Sequence, residues 1–253
     1  MSESSTCVLI TGGTRGLGRQ FAFDLAAEGC RVGVCSSKTD SLEALGAEFQ
    51  ERGLALWTRQ ADVAKPDQVE DLFRAFVADH GRIDVLVNNA GITRDCLLIK
   101  RKPDGSVAKM PIENWKAVVD VNLTGVFLCG REAAVHMIEK GTRGTIVNIS
   151  SVCRAGNIGQ TAYSATKAGV VAMTVAWSKE LARYGIRVAS VAPGYVHTLM
   201  TEALRPDVRQ KIESAIPAQR MASWEEISDA LRFVLKNKYV SGRVIEVDGG
   251  LRI

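Results

Sequence analysis

The chain has 253 residues, 46% of them hydrophobic and 24% charged, with a formal net charge of +4. That is ample apolar material for a large core, and too little charge, too widely spread, to suggest nucleic-acid binding. No apolar run is long enough to span a bilayer, Met1 to Thr6 lack secretory character, and the six scattered cysteines form neither a C-x-x-C pair nor a His/Cys cluster; the expectation is a cytoplasmic protein with no membrane association, disulfide or metal site.

In chain order, Cys7-Val8-Leu9-Ile10 reads as a buried parallel strand, followed at once by Thr11-Gly12-Gly13-Thr14-Arg15-Gly16-Leu17-Gly18. Leu17, Phe21 and Leu25 then repeat as one face of a helix. A strand, a glycine turn and a helix N-terminus converge free backbone N–H groups and the positive end of a helix dipole, a natural seat for a pyrophosphate. The spacing is Gly12-x-x-x-Gly16-x-Gly18, which differs from the general G-x-G-x-x-G pattern, so on its own the turn fits a structural strand–helix junction as well. Arg31 to Cys35 reads as strand two and ends in Ser36-Ser37-Lys38. Leu54 to Ala61 reads as strand three, ending in Asp62-Val63, and Val85 to Val87 as strand four, ending in Asn88-Asn89-Ala90-Gly91. Polar or small residues thus stand at the carboxyl end of each strand, where an open α/β sheet binds its ligand. Each is also an ordinary turn or cap residue.

Further along, Lys100 to Lys109 carries four cations around Pro103-Asp104-Gly105, which predicts a basic hairpin before a helix over Ile112–Trp115. Later strands are Thr145–Ile149, Arg187–Val191 and Val244–Val247. Helical patterns such as Val69, Leu72, Phe73, Phe76 and Ile227, Leu231, Leu235 lie between strands. The alternation, with no internal repeat or dividing linker, predicts one α/β domain over 1–253: a doubly wound, mostly parallel seven-stranded sheet with helices on both faces, Rossmann-like.

The chemistry concentrates after the fifth strand. Tyr163 and Lys167 are one helical turn apart and share a face, downstream of Ser150-Ser151. A phenol titrates at about 10. A positive charge about 4 Å away, at an effective dielectric near 20, contributes roughly 4 kcal/mol, and that would draw the phenol towards neutrality, where proton transfer is efficient. Either serine hydroxyl would hold a substrate oxygen against it. Cys153, near the serine pair, reads as a small packing residue. His80, His136 and His197 are isolated.

Taken together, Thr11-Gly12 to Gly18, Asp62-Val63, Asn88-Asn89-Ala90-Gly91, Asn122, the serine pair, Tyr163-x-x-x-Lys167 and Pro193-Gly194 with Thr198 identify the chain as resembling the short-chain dehydrogenase/reductase family. The resemblance implies that Tyr163 donates the proton, that Lys167 holds the nicotinamide ribose and lowers the tyrosine pKa, and that Asn122 anchors a relay water. It places a dinucleotide against Gly12, Thr14, Arg15, Gly16, Leu17 and Gly18. Asp62 and Asn88 would lie on its adenosine side, Val63, Ala90 and Gly91 near the adenine, and Pro193, Gly194, Val196 and Thr198 by the nicotinamide. Ser36 stands where the family's NAD-selective acid would be, and Arg15, Ser37 and Lys38 offer cations and hydroxyls, so NADP is the expected cofactor.

For the serine, the two criteria conflict. The family's usual interval of about thirteen to the tyrosine selects Ser150, while the register of relatives ending this strand Asn-Ile-Ser-Ser selects Ser151. Register is the firmer guide, because a one-residue slip inverts every side chain of a strand, whereas loops absorb deletions; Ser151 is the expected catalytic serine. Gly91-Ile92-Thr93-Arg94-Asp95 and Gly159-Gln160 are similar to 3-oxoacyl-[acyl-carrier-protein] and acetoacetyl-CoA reductases, which implies an acyl-thioester substrate, with a carrier protein as a candidate partner, and a homotetramer. The chain departs from those reductases at the basic segment, longer than is usual there, and at Cys153-Arg154, both expected to border the substrate mouth. Competing readings are a dehydrogenase of a small secondary alcohol or ketone and a non-catalytic dinucleotide-binding regulator; the intact Asn122, serine, Tyr163 and Lys167 set argues against the latter.

Overall fold

The computed structural model describes residues 5–197 and 206–253. The chain begins β1 (Cys7–Thr11), α1 (Gly16–Ala27), β2 (Arg31–Ser36), α2 (Thr39–Glu51), β3 (Trp57–Gln60), α3 (Pro66–His80) and β4 (Val85–Asn88). A small ribbon follows, β5 (Ile99–Arg101) and β6 (Val107–Lys109), then α4 (Ile112–Val119) and α5 (Gly125–Glu139), joined by a π-helical turn at Asp120–Thr124. The second half runs β7 (Thr145–Ile149), a 3-10 turn (Val152–Ala155), α6 (Thr161–Glu180), β8 (Arg187–Pro193), α7 (Pro206–Ala215), α8 (Trp224–Lys236) and β9 (Val244–Val247).

Seven strands form one sheet in the order β3-β2-β1-β4-β7-β8-β9, every pairing parallel. The order reverses between β1 and β4, the topological switch point at which such sheets open a crevice for ligands. Strand periodicity explains the two-sided core. In β1, Val8 and Ile10 join Phe21, Leu25, Phe49, Leu231 and Val234 on one face, while Cys7 and Leu9 join Leu72, Phe73, Phe76, Leu128 and Met137 on the other. Thus α1, α2 and α8 cover one face, and α3 and α5 the other. Both faces of the sheet are dry, which is why its strands read as continuous apolar runs rather than alternating ones.

The third strand is shorter than the expected Leu54 to Ala61. Leu54 instead closes α2: Gly53 turns left-handed at φ +68°, and the Leu54 N–H donates to Phe49 O at 2.9 Å. Pairing begins only at Trp57, opposite Gly33, where a Cβ would lie 2.5 Å from the Phe76 ring. The hairpin expected between Lys100 and Lys109 is present. Ile99 pairs with Lys109 and Arg101 with Val107, and Gly105 turns at φ +85°. No helix among the described residues is long and apolar enough to cross a membrane.

Candidate active site

The crevice has two sides, and its chemistry lies on the β4-β7 side. At the end of β7, Ser150 is buried and its N–H donates to Val191 O at 2.8 Å, extending the ladder by one residue. Its Oγ donates to the Lys167 carbonyl at 3.0 Å, so this serine fixes α6 to the sheet. Ser151 emerges next and caps the Val152–Ala155 turn by accepting from Cys153 N at 3.1 Å. The two serines make different contacts, Ser150 with α6 and Ser151 with the turn that follows it.

Lys167 is 3% exposed. Its Nζ donates to Ile149 O at 2.7 Å and lies 5.6 Å from the Tyr163 ring centroid. Burial pushes its pKa down to about 8. Burial likewise pushes the Tyr163 phenol up to about 12, against the opposing pull of the Ser151 hydrogen bond. This corrects the expectation that the lysine draws the phenol towards neutrality. The ammonium donates to a backbone carbonyl, and desolvation is the largest influence on both groups. At neutral pH the phenol holds its proton, the form a proton donor requires.

Asn122 sits in the π turn between α4 and α5, a local over-winding that recurs at functional positions. Fully buried, it clamps the backbone of Ile92 from both sides: Oδ1 accepts from Ile92 N at 2.8 Å and Nδ2 donates to Ile92 O at 2.9 Å. A methyl group built on Gly91 would meet both Asn122 Oδ1, at 3.5 Å, and Lys167 Nζ, at 3.8 Å. The loop after Ile92 is tied to the entrance of α6 as well. Cys96 N donates to Gly159 O at 2.8 Å, and Gln160 Nε2 to Asp95 at 2.9 Å. Val152, Cys153, Ile216, Met221 and Leu251, with Tyr195 and Tyr163, form an apolar wall beside the phenol. Cys153 thus packs in that wall, as expected.

On the other side, Gly12 (φ +63°) and Gly16 (φ +57°) take left-handed conformations, and a Cβ on Gly12 would lie 2.7 Å from Ala90 Cα. The turn is held by a residue the sequence reading passed over. Asn89 Nδ2 donates to Thr11 O and Gly12 O at 3.1 and 2.9 Å, while Thr11 Oγ1 accepts from Asn89 N and Ala90 N. Asn88, expected on the adenosine side, has its side chain inside the core, donating to Asn148 Oδ1 at 2.9 Å; Asn148 in turn donates to Thr174 Oγ1. Both faces of β4 are buried, so strand parity gave no signal that separates Asn88 from Asn89. The Val63 side chain is buried against Gly125, where a Cβ would approach to 2.8 Å.

Asp62 Oδ1 accepts from Ala64 N at 3.0 Å, closing the turn into α3. Ser36 Oγ accepts from Lys38 N at 3.2 Å, and Arg15, Ser37 and Lys38 are exposed around it. Thr14 is half-buried in the turn, and Leu17 packs its half-buried side chain on the α1 side of the core. Gly18 lies against Asn89, where a Cβ would come within 2.4 Å of Nδ2. At the far end, Pro193 closes β8, Gly194 N donates to Val247 O at 2.8 Å and Val196 bridges to Ala222. Thr198 lies outside the described residues. Arg154, expected at the substrate mouth, turns inward: it donates to Ser151 O at 3.1 Å and pairs with Glu246 of β9.

A nicotinamide dinucleotide fits these residues. The first turn of α1 carries no acidic side chain and no side-chain cap, so its N–H groups remain open to a phosphate. Among the described residues there is no group of His, Cys, Asp and Glu that would hold a metal ion.

Curated proteins of similar sequence cover nearly the whole chain. A 3-oxoacyl-[acyl-carrier-protein] reductase of Staphylococcus epidermidis is 39% identical over 247 residues, 96% of this chain and 97% of that protein. Proteins of the same name from Thermotoga maritima and Synechocystis are each 41% identical, the first over 99% of both chains and the second over 96% of this chain and 95% of its own. Residues 6–209 match the short chain dehydrogenase family, and with the parallel sheet, its switch-point crevice and the Ser151, Tyr163 and Lys167 cluster beside it, the chain belongs to that family.

Proposed function

We propose that this protein reduces a 3-oxoacyl thioester to the 3-hydroxyacyl thioester with NADPH. The observation that carries the reading is the grouping at the crevice: Tyr163 on α6, buried Lys167 one turn on with its Nζ 5.6 Å from the phenol ring centroid, and Ser151 at the end of β7. The names of the full-length relatives supply the substrate class.

When bound, a reduced nicotinamide supplies the electron pair for carbonyl reduction. Its phosphates would lie on the Gly12–Gly18 turn and the open end of α1, its ribose near Lys167, and its nicotinamide beside Gly194 and Val196. Ser36 and Ser37 close β2 with hydroxyls in place of a carboxylate, and Arg15 and Lys38 are exposed cations, which favours a 2′-phosphate over a free ribose diol. Ser151 donates to the substrate carbonyl oxygen and holds it against Tyr163. The phenol passes its proton to that oxygen as negative charge develops there, and Lys167, charged below a pH of about 8, stabilises the phenolate left behind. Asn122 keeps the Ile92 segment in place over the site. The tyrosines and aliphatics around Cys153 form a dry wall suited to a short acyl chain.

Exposed Phe233 and Tyr239 near the C-terminal strand support a homotetramer, for which light scattering is the check: a stable monomer at micromolar concentration overturns it. The decisive experiment for the reaction is a panel of acetoacetyl thioesters and simple ketones with NADPH and with NADH. Reduction of the thioester to the 3-hydroxy product is expected. Inert thioesters beside good turnover of simple ketones would overturn the proposal.

A further inference from the structure

The ribbon β5-β6 is an unpartnered sheet of two strands. Side chains in such a ribbon alternate between its faces, so the pairs Ile99 with Lys109 and Arg101 with Val107 belong to one face, and Leu97 has the same parity as Ile99. Leu97, Ile99 and Val107 are 47%, 53% and 56% exposed, and Arg101 and Lys109 are exposed beside them. That face carries no acid. Asp104, the only acidic side chain between Leu97 and Ile112, turns into the hairpin's own tip, accepting from Ser106 N at 2.9 Å and Ser106 Oγ at 2.7 Å. A free two-stranded ribbon is marginal in water, and apolar side chains ringed by like charges mark a surface built to be covered. The ribbon is also wired to the site. The segment leading into it is clamped at Ile92 by Asn122, at Cys96 by Gly159 and at Asp95 by Gln160, three residues before Tyr163.

We infer that the Leu97, Ile99, Arg101, Val107 and Lys109 face of the ribbon docks an acidic carrier protein that delivers the acyl thioester on a flexible arm. The inference rests on the thioester reading above. Charge selects this occupant: two cations framing apolar anchors match an acidic surface with an apolar centre. A second copy of this chain meeting this face about a two-fold axis would bring Arg101 and Lys109 of both copies into one patch with no acid from either face.

The test compares the same acetoacetyl group on an acidic acyl carrier protein and on uncharged N-acetylcysteamine, using the full chain and the R101E/K109E variant. The variant should raise KM for the carrier-bound substrate by about tenfold, with kcat unchanged, and leave the kinetics of the small thioester unaltered. Added salt should reproduce that KM rise in the parent protein for the carrier-bound substrate alone. Fluorescence anisotropy of labelled carrier protein reads the same docking without turnover. Equal KM and equal anisotropy for parent and variant, with both thioesters reduced, would overturn the inference and leave the proposed reaction standing. Failure of the parent to reduce either thioester would overturn the reaction, and the docking inference with it. A change of oligomeric state in the variant would assign the ribbon to subunit contacts instead.

Discussion

The two sides of the crevice are built by different means. On the β4-β7 side, the hydrogen bonds of the groups around the phenol run largely to distant parts of the chain: Ser150 to Lys167, Lys167 to Ile149, Asn122 to Ile92 and Arg154 to Glu246. Three of these groups, Ser150, Asn122 and Lys167, are at most 3% exposed. On the β1-β2 side, the contacts of Ser36 and Asp62 are turn bonds within a few residues, and the cations stand in water. Chemistry needs groups fixed before the substrate arrives, because reorganisation during reaction raises the barrier. Phosphate recognition by an exposed cation tolerates movement, since charge attracts from any nearby rotamer. The contrast predicts large, specific losses on the buried side and small, screenable ones on the exposed side.

The largest effect should come from Tyr163→Phe, which removes the proton and little else. Loss of about a thousandfold in kcat is expected, with cofactor affinity preserved in a fluorescence titration. Retention of more than about a tenth of the activity, a barrier change of only ~1.4 kcal/mol, would exclude the phenol as proton donor.

Lys167 tests whether burial governs that side. Its folded pKa is depressed from 10.5 to about 8, so between these values the unfolded chain binds the extra proton and stability rises with pH. Below pH about 8 the buried charge costs up to about 3 kcal/mol, so Lys167→Met should melt above the parent there, less the loss of the Ile149 hydrogen bond, and the gap should close by pH 10.5. Tyr163 has the opposite sign. Its folded pKa is raised from 10 to about 12, so the stability it contributes is complete below pH 10 and declines above it. The Lys167 variant should also lose both rate and cofactor affinity. A melting difference independent of pH would refute the desolvation account.

Ser151→Ala should lower kcat by about a hundredfold, or ~2.7 kcal/mol. Ser150→Ala should instead cost about 1 kcal/mol of stability, through the lost bond to the Lys167 carbonyl, with kcat nearly intact. Paired kinetics and melts on the two variants decide this; the reverse ranking would give Ser150 the substrate.

On the exposed side the effects should be smaller. Arg15→Ala combined with Lys38→Ala should raise KM for NADPH by about tenfold and leave that for NADH unchanged, the difference fading at high salt. Equal specificity constants for the two cofactors in the parent would remove the assigned role of both cations.

Sequence alone determined the parallel α/β sheet, the end of it that carries the crevice, the basic hairpin and the Tyr163/Lys167 pair. These are local matters, in which strand parity, helical spacing and turn residues write their geometry within a few positions of themselves. Register and interval count point to different serines, and the paired Ala variants decide between them. Only the tertiary structure decided the rest. Whether Asn88 or Asn89 reaches the glycine turn, and whether Arg154 faces the mouth or Glu246, ninety-two positions away, depends on which distant backbone arrives beside it. The direction in which the Tyr163 and Lys167 pKa values move was settled in the same way. Spacing reports that two side chains are neighbours, but only the packed fold sets how much water each has lost, and burial is the largest influence on both.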